Sequence, residues 1–117
     1  MAVSDLPDPI RARVAEQAAQ PPLEIVREFL YANVADAANF DEIGSHLQRL
    51  ARTTTRMHRR VLAAIEFVLA TPWPPGTLAR LVGWDGNWVL DDPSDAGAAE
   101  FLRSLGNLLR SAIDQTE

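Results

Sequence analysis

Residues 71–95 read TPWPPGTLARLVGWDGNWVLDDPSD and interrupt a chain that otherwise carries helical periodicity. The three tryptophans of the protein, Trp73, Trp84 and Trp88, all fall here, among prolines, glycines and aspartates. Two readings compete at the centre of the stretch. In one, Thr77 caps a short helix carrying Leu78, Leu81 and Val82. In the other, Asp85-Gly86 supplies the positive φ angles of a type I′ turn and joins 78–84 to 87–92 as a hairpin. A lone two-stranded hairpin is marginal in water, and every flanking segment reads as helix. Helix followed by turn is therefore the expectation over 79–90, and with it an all-α fold.

The orientation of the indoles is the next decision. Hiding a large aromatic side chain is worth roughly 3 kcal/mol, against a whole-domain stability of ~5–15 kcal/mol. Facing inward, the tryptophans cement an irregular connection onto a helical core, which is the simpler reading. Facing outward, Trp73, Trp84 and Trp88 form a partner-binding edge with Asp85, Asp91, Asp92 and Asp95. Tryptophan is among the residues that most often anchor interfaces, and binding residues tend to sit in irregular backbone.

Downstream, Asp92 reads as a helix cap, Pro93 as a first-turn residue and Asp95 as a complement to the helix dipole. Phe101, Leu102, Leu105, Leu108, Leu109, Ala112 and Ile113 make the inner face of that last helix. Gly106 sits at the edge of the face, where it would let a neighbour approach closely.

Upstream, 41–70 reads as one long helix. Ile43, Leu47, Leu50, Thr54, Met57, Val61, Ala64 and Val68 recur at spacings of four and three. A break near Gly44, with Ser45 to Gln48 as a capping box, is the alternative. Residues 61–70, VLAAIEFVLA, are apolar nearly all round, which predicts a central position and requires a cover for Phe67. A preceding helix starts at Pro22 and runs to about Ala38, with Leu23, Val26, Leu30, Val34 and Ala37 inward and Phe29 and Tyr31 broadening its apolar surface. Asp8-Pro9 opens a short helix over about 9–19, and 1–7 reads as a frayed terminus. Together these predict a single helical domain over 1–117. It is a bundle of four to five helices with a long central helix (about 41–70) as its spine and an irregular connection at 71–92.

Composition narrows the classes of function. The 117 residues include no cysteine, which excludes disulfides and thiolate metal sites. No basic, apolar leader opens the chain and no apolar run approaches a membrane span, so a cytoplasmic protein without membrane contact is expected. All eleven basic residues are arginine, a bias that a GC-rich coding sequence would produce.

Charge is distributed as acidic, basic, acidic. Residues 1–44 and 61–117 each carry −5, whereas 45–60 carries +5 through Arg49, Arg52, Arg56, Arg59 and Arg60. The overall −5 argues against general nucleic-acid affinity. On a continuous helix the five arginines lie opposite the apolar stripe. They read as a solvated or ion-paired face, with docking of an acidic partner and phosphate contact as alternatives.

Catalytic constellations are sparse. His46 and His58 would stand about 18 Å apart on one helix, too far to share a metal or a proton. His58 on the apolar edge reads as a buried, hydrogen-bonded histidine and His46 as a surface residue. No phosphate-binding glycine loop, HExxH or nucleophile elbow is present. Counted as a calcium loop from Asp85, the fifth position is Val89 and the twelfth Ala96, neither of them a ligand. The expectation is no catalytic residue, no metal and no cofactor.

In size, acidity, absence of cysteine and helix count, the chain resembles the bacterial immunity proteins that neutralise basic nuclease toxins. The resemblance implies a protein that acts by binding another protein, and it transfers no individual residue. The expected function is a small acidic protein-binding module, immunity- or antitoxin-like, whose partner is a basic toxin or enzyme. A self-associating, homo-oligomeric structural or regulatory protein that buries Phe67 between protomers is the alternative.

Overall fold

The computed structural model describes residues 20–116. The expected helix over 9–19 and the frayed stretch at 1–7 lie outside them. The described residues form α1 (Pro22–Asn33), α2 (Phe40–Ala51), α3 (Arg56–Ala70), the single turn α4 (Thr77–Arg80) and α5 (Asp95–Thr116), with a π-type turn at Leu81–Asp85. No strand occurs among them. The fold is an all-α bundle, and the 79–90 segment takes the helix-then-turn form.

The expected long helix over 41–70 is two helices. The separation falls at 52–55, not near Gly44, through which α2 runs unbroken. Three consecutive threonines occupy the corner. Their β-branched side chains are stiff and their hydroxyls compete for backbone hydrogen bonds. Here Thr54 Oγ1 accepts from the Arg56 N–H at 3.2 Å. The apolar stripe continues across the corner although the helix does not, and Thr54 within it is exposed.

His58 ties the corner together. It is fully buried, and its Nε2 donates to the Leu47 carbonyl at 2.8 Å, joining α3 to α2. His46 also makes a bridge, through Nε2 to Asn33 Oδ1 at 3.0 Å, which connects α2 to the end of α1. The start of α2 is set by Asn39, whose side chain accepts from the Glu42 N–H at 2.9 Å.

With the 41–70 helix divided, α5 becomes the spine. Its 22 residues extend about 33 Å, and α2, α3 and α4 all pack against it, while α1 packs against α3. The core is built from Val26, Leu30 and Val34, Ile43 and Leu47, Ile65 and Val68, and Leu102, Leu105 and Leu109, each fully or almost fully buried. Ser94, not Asp92, caps α5. Its Oγ accepts from the Gly97 N–H at 3.3 Å and its carbonyl from Ala98 at 3.0 Å. Asp92 is engaged two residues earlier, accepting from the Ser94 N–H at 3.1 Å.

Candidate functional site

The irregular 71–95 segment folds back over one end of the bundle, and its aromatic and acidic residues part company there. Trp73 is half-buried against the core, and its Nε1 donates at 2.9 Å to the Val68 carbonyl, which also accepts from the Thr71 N–H at the end of α3. Trp88 is also half-buried and packs on Phe101 with ring centroids 5.2 Å apart. Phe40 meets Phe101 from another side at 6.0 Å in an edge-on arrangement. These two indoles follow the inward reading.

Trp84 does not, because 82% of its surface is exposed. The π-type turn accounts for this. Its wider winding, closed by Gly86 N–H to the Leu81 carbonyl at 3.1 Å, buries Leu81 and Val82 and leaves Trp84 on the outside. The turn is fastened once to α1 and once to the loop that follows it. Arg27 Nε donates to Asp85 Oδ2 at 3.2 Å, and Asn87 Nδ2 donates to the Ala35 carbonyl at 3.3 Å. Arg27 also pairs with Glu24. Gly86 lies tight in the loop: a Cβ there would come within 2.8 Å of the Val82 carbonyl oxygen. The positive φ that the hairpin alternative would need at Asp85-Gly86 is absent at Gly86, whose φ is −84°, and Asn87 has φ 47°.

Tyr31, one helical turn on from Arg27 in α1, is 75% exposed. Val89, 94% exposed, follows on the far side of Trp88. Tyr31, expected with Phe29 to broaden the apolar surface of α1, faces solvent instead, and Val89 is not a feature the sequence singles out. The spacing of Tyr31 from the inward stripe of α1 was the available signal for it, whereas Val89 carries none.

The four aspartates divide in the same way. Asp95 is turned into the structure, where its carboxylate accepts from the Gly76 N–H at 2.7 Å and the Ala79 N–H at 2.9 Å, closing the start of α4. Those two backbone donors hold its carboxyl below the usual aspartate range. Asp85 is spent on Arg27. Asp92 is exposed, and the Ser94 hydroxyl and N–H lower its carboxyl likewise. Asp91 is exposed with no polar partner among the described residues. The groups of this segment left to solvent are the Trp84 indole, the Val89 side chain and the carboxylates of Asp91 and Asp92.

The arginine cluster is reshaped by the corner at 52–55. Arg49 and Arg52 stand at the end of α2, while Arg56, Arg59 and Arg60 occupy the start of α3, and all five are exposed. The basic surface thus wraps a corner and does not run along one helix face. Arg59 Nε donates to Thr55 Oγ1 at 3.3 Å and Arg60 Nη2 to Gln20 Oε1 at 2.6 Å.

Among the described residues, no group of three His, Cys, Asp or Glu side chains is placed to hold a metal ion. No described helix is long and apolar enough to cross a membrane. Comparison with protein-family models, with curated proteins and with solved structures finds no match.

Proposed function

We propose that this protein is a small acidic binding module that grips a basic protein, a toxin or an enzyme, in the manner of an immunity protein or antitoxin. It meets that partner in the cytoplasm and acts by contact, without catalysis, cofactor or membrane. One observation carries the reading: a large aromatic, Trp84, projects into solvent from a turn braced on both sides by Arg27–Asp85 and Asn87–Ala35. An exposed indole on rigid backbone loses little conformational entropy on binding, which is what an interface anchor requires. The exposed carboxylates of Asp91 and Asp92, further along the same segment, in a chain of net charge −5, complement a basic surface and disfavour nucleic acid.

The first partner to test is the basic product of an adjoining reading frame. The wild-type chain is expected to bind it, and Trp84→Ala to weaken binding roughly 30-fold or more, as loss of an interface anchor does. Asp91→Asn with Asp92→Asn is expected to slow association chiefly at low salt. Equal binding by wild type and Trp84→Ala refutes the reading.

A second reading rests on Phe67, 53% exposed on the apolar half of α3. A homo-oligomer that buries this ring would show a molecular mass rising with concentration in light scattering. A constant monomer mass disposes of it.

A further inference from the structure

A groove of about 520 Å³ lies between α1 and α3, on a different face of α1 from the Trp84 loop. Its volume is within the range of small-molecule sites, roughly 300–1,000 Å³. Ile25, Phe29, Met57 and Val61 form its apolar floor. Phe29 and Val61 are buried parts of the core and so give a fixed surface. Met57 is half-buried, and its unbranched, polarizable chain adapts to the shape laid against it.

The polar groups of the lining are not equivalent. Asn33 is committed at both ends, donating to the Phe29 carbonyl at 3.2 Å and meeting His46 at 3.0 Å. Thr54 accepts from the Arg56 N–H. Two guanidinium groups remain on the α3 rim, those of Arg56 and Arg60, one helical turn or ~6 Å apart along the axis. Arg56 has no side-chain partner among the described residues, and Arg60 meets only the neutral Gln20 oxygen there. Glu28 on α1 is the acid of the described lining, and it repels an anion toward the arginine rim.

We propose that this groove binds an amphiphilic carboxylate, a single aliphatic chain ending in one anionic head. The chain lies over Ile25, Phe29, Met57 and Val61, and the head sits between Arg56 and Arg60, where each guanidinium can offer paired N–H donors. Neither half of the site suffices alone. The apolar floor supplies burial without orientation, and two surface arginines in water supply little net attraction.

The test is a titration of the 117-residue chain with dodecanoate below its aggregation concentration, followed by calorimetry and by the methyl NMR signals of Met57 and Ile25. One dodecanoate per chain is expected, with both methyl signals moving. Arg56→Gln with Arg60→Gln is expected to weaken binding at least tenfold with unchanged circular dichroism, both positions being exposed. Glu28→Gln is expected to tighten it. Equal binding of dodecyltrimethylammonium would show an apolar groove indifferent to charge, and equal binding of inorganic phosphate would show a bare anion site. Either result overturns the proposal, as does binding that leaves the Met57 methyl unmoved or survives loss of both arginines.

Discussion

The carboxylate of Asp95 closes the start of a helix to which it does not belong. It stands at the first position of α5, yet it accepts from the backbone N–H of Gly76 at 2.7 Å and of Ala79 at 2.9 Å. Gly76 reaches this position with φ of 89°, a conformation that favours glycine, and has no capping side chain of its own. Asp95 thereby fastens the start of the irregular segment to the spine, alongside the packing of Trp88 on Phe101.

Asp95→Ala is expected to lower the melting temperature by about 5 °C, the usual consequence of losing a helix cap in a domain of this size. Asp95→Asn, which keeps an acceptor oxygen, is expected to lower it less. Thermal unfolding followed by circular dichroism checks both.

The pH dependence has a definite sign. The carboxyl groups of Asp92 and Asp95 are both held below the ordinary aspartate value, which is about 3.9. Their contribution to stability is complete above that value and is lost as pH falls through the lowered folded-state values. The midpoint of urea unfolding is expected to be flat above about pH 5 on account of these groups and to fall below it. The fall is expected to be smaller in the Asp92→Asn, Asp95→Asn double variant.

Two buried or half-buried glycines of α5 respond oppositely to alanine. A Cβ at Gly97 would lie 1.9 Å from the Asp92 carbonyl oxygen, so Gly97→Ala must shift the backbone that leads into the helix. It is expected to destabilise by about 1–3 kcal/mol, the usual cost of overpacking. At Gly106 the same atom meets Leu62 Cδ1 at 3.5 Å and Ile65 Cγ2 at 3.9 Å, both ordinary contacts. Gly106→Ala is expected to stabilise by up to ~1 kcal/mol through helix propensity. Chemical denaturation of the pair measures the difference.

His58→Ala removes a fully buried ring and the hydrogen bond that joins α2 to α3. A loss of roughly 2–4 kcal/mol is expected from the cavity and the lost inter-helix hydrogen bond together. A midpoint in urea unchanged from wild type would show that the corner at 52–55 holds without it.

The tryptophans separate by stability and by fluorescence. Trp84→Phe is expected to leave stability within about 0.5 kcal/mol while removing the most red-shifted, most easily quenched part of the emission. Trp88→Ala, which strips the partner of Phe101, is expected to cost about 2–3 kcal/mol. Acrylamide quenching of the single variants checks the assignment.

Much of the bundle was legible in apolar spacing. Val26, Leu30 and Val34, Ile43 and Leu47, and Leu102, Leu105 and Leu109 are buried where periodicity places them, because a one-sided stripe has one way to leave water. The corner at 52–55 was not read, since the stripe runs straight through it and Thr54 falls in register. The threonine run was the signal. Asn39 with Glu42 three residues on is a cap signal as good as Ser45 with Gln48, and it is Asn39 that accepts from the Glu42 N–H.

The candidate site was legible only as a concentration of residue types. That Trp73, Trp84 and Trp88 belong together in sequence says nothing of their directions, and Asp85, Asp91, Asp92 and Asp95 gave no sign of their separate employment. Trp73 turns to the Val68 carbonyl, Asp95 to the Gly76 and Ala79 amides, and Asp85 to Arg27, by contacts that link positions 5 to 58 residues apart.

Local pattern alone therefore determined that the described chain is helical, where its apolar faces lie and that its tryptophans gather in 71–95. Those properties depend on neighbours within a turn or two along the chain. Which helix is the spine, which indole meets solvent and which carboxylate stays available were decided by tertiary packing. Each of these depends on partners that only folding brings into reach.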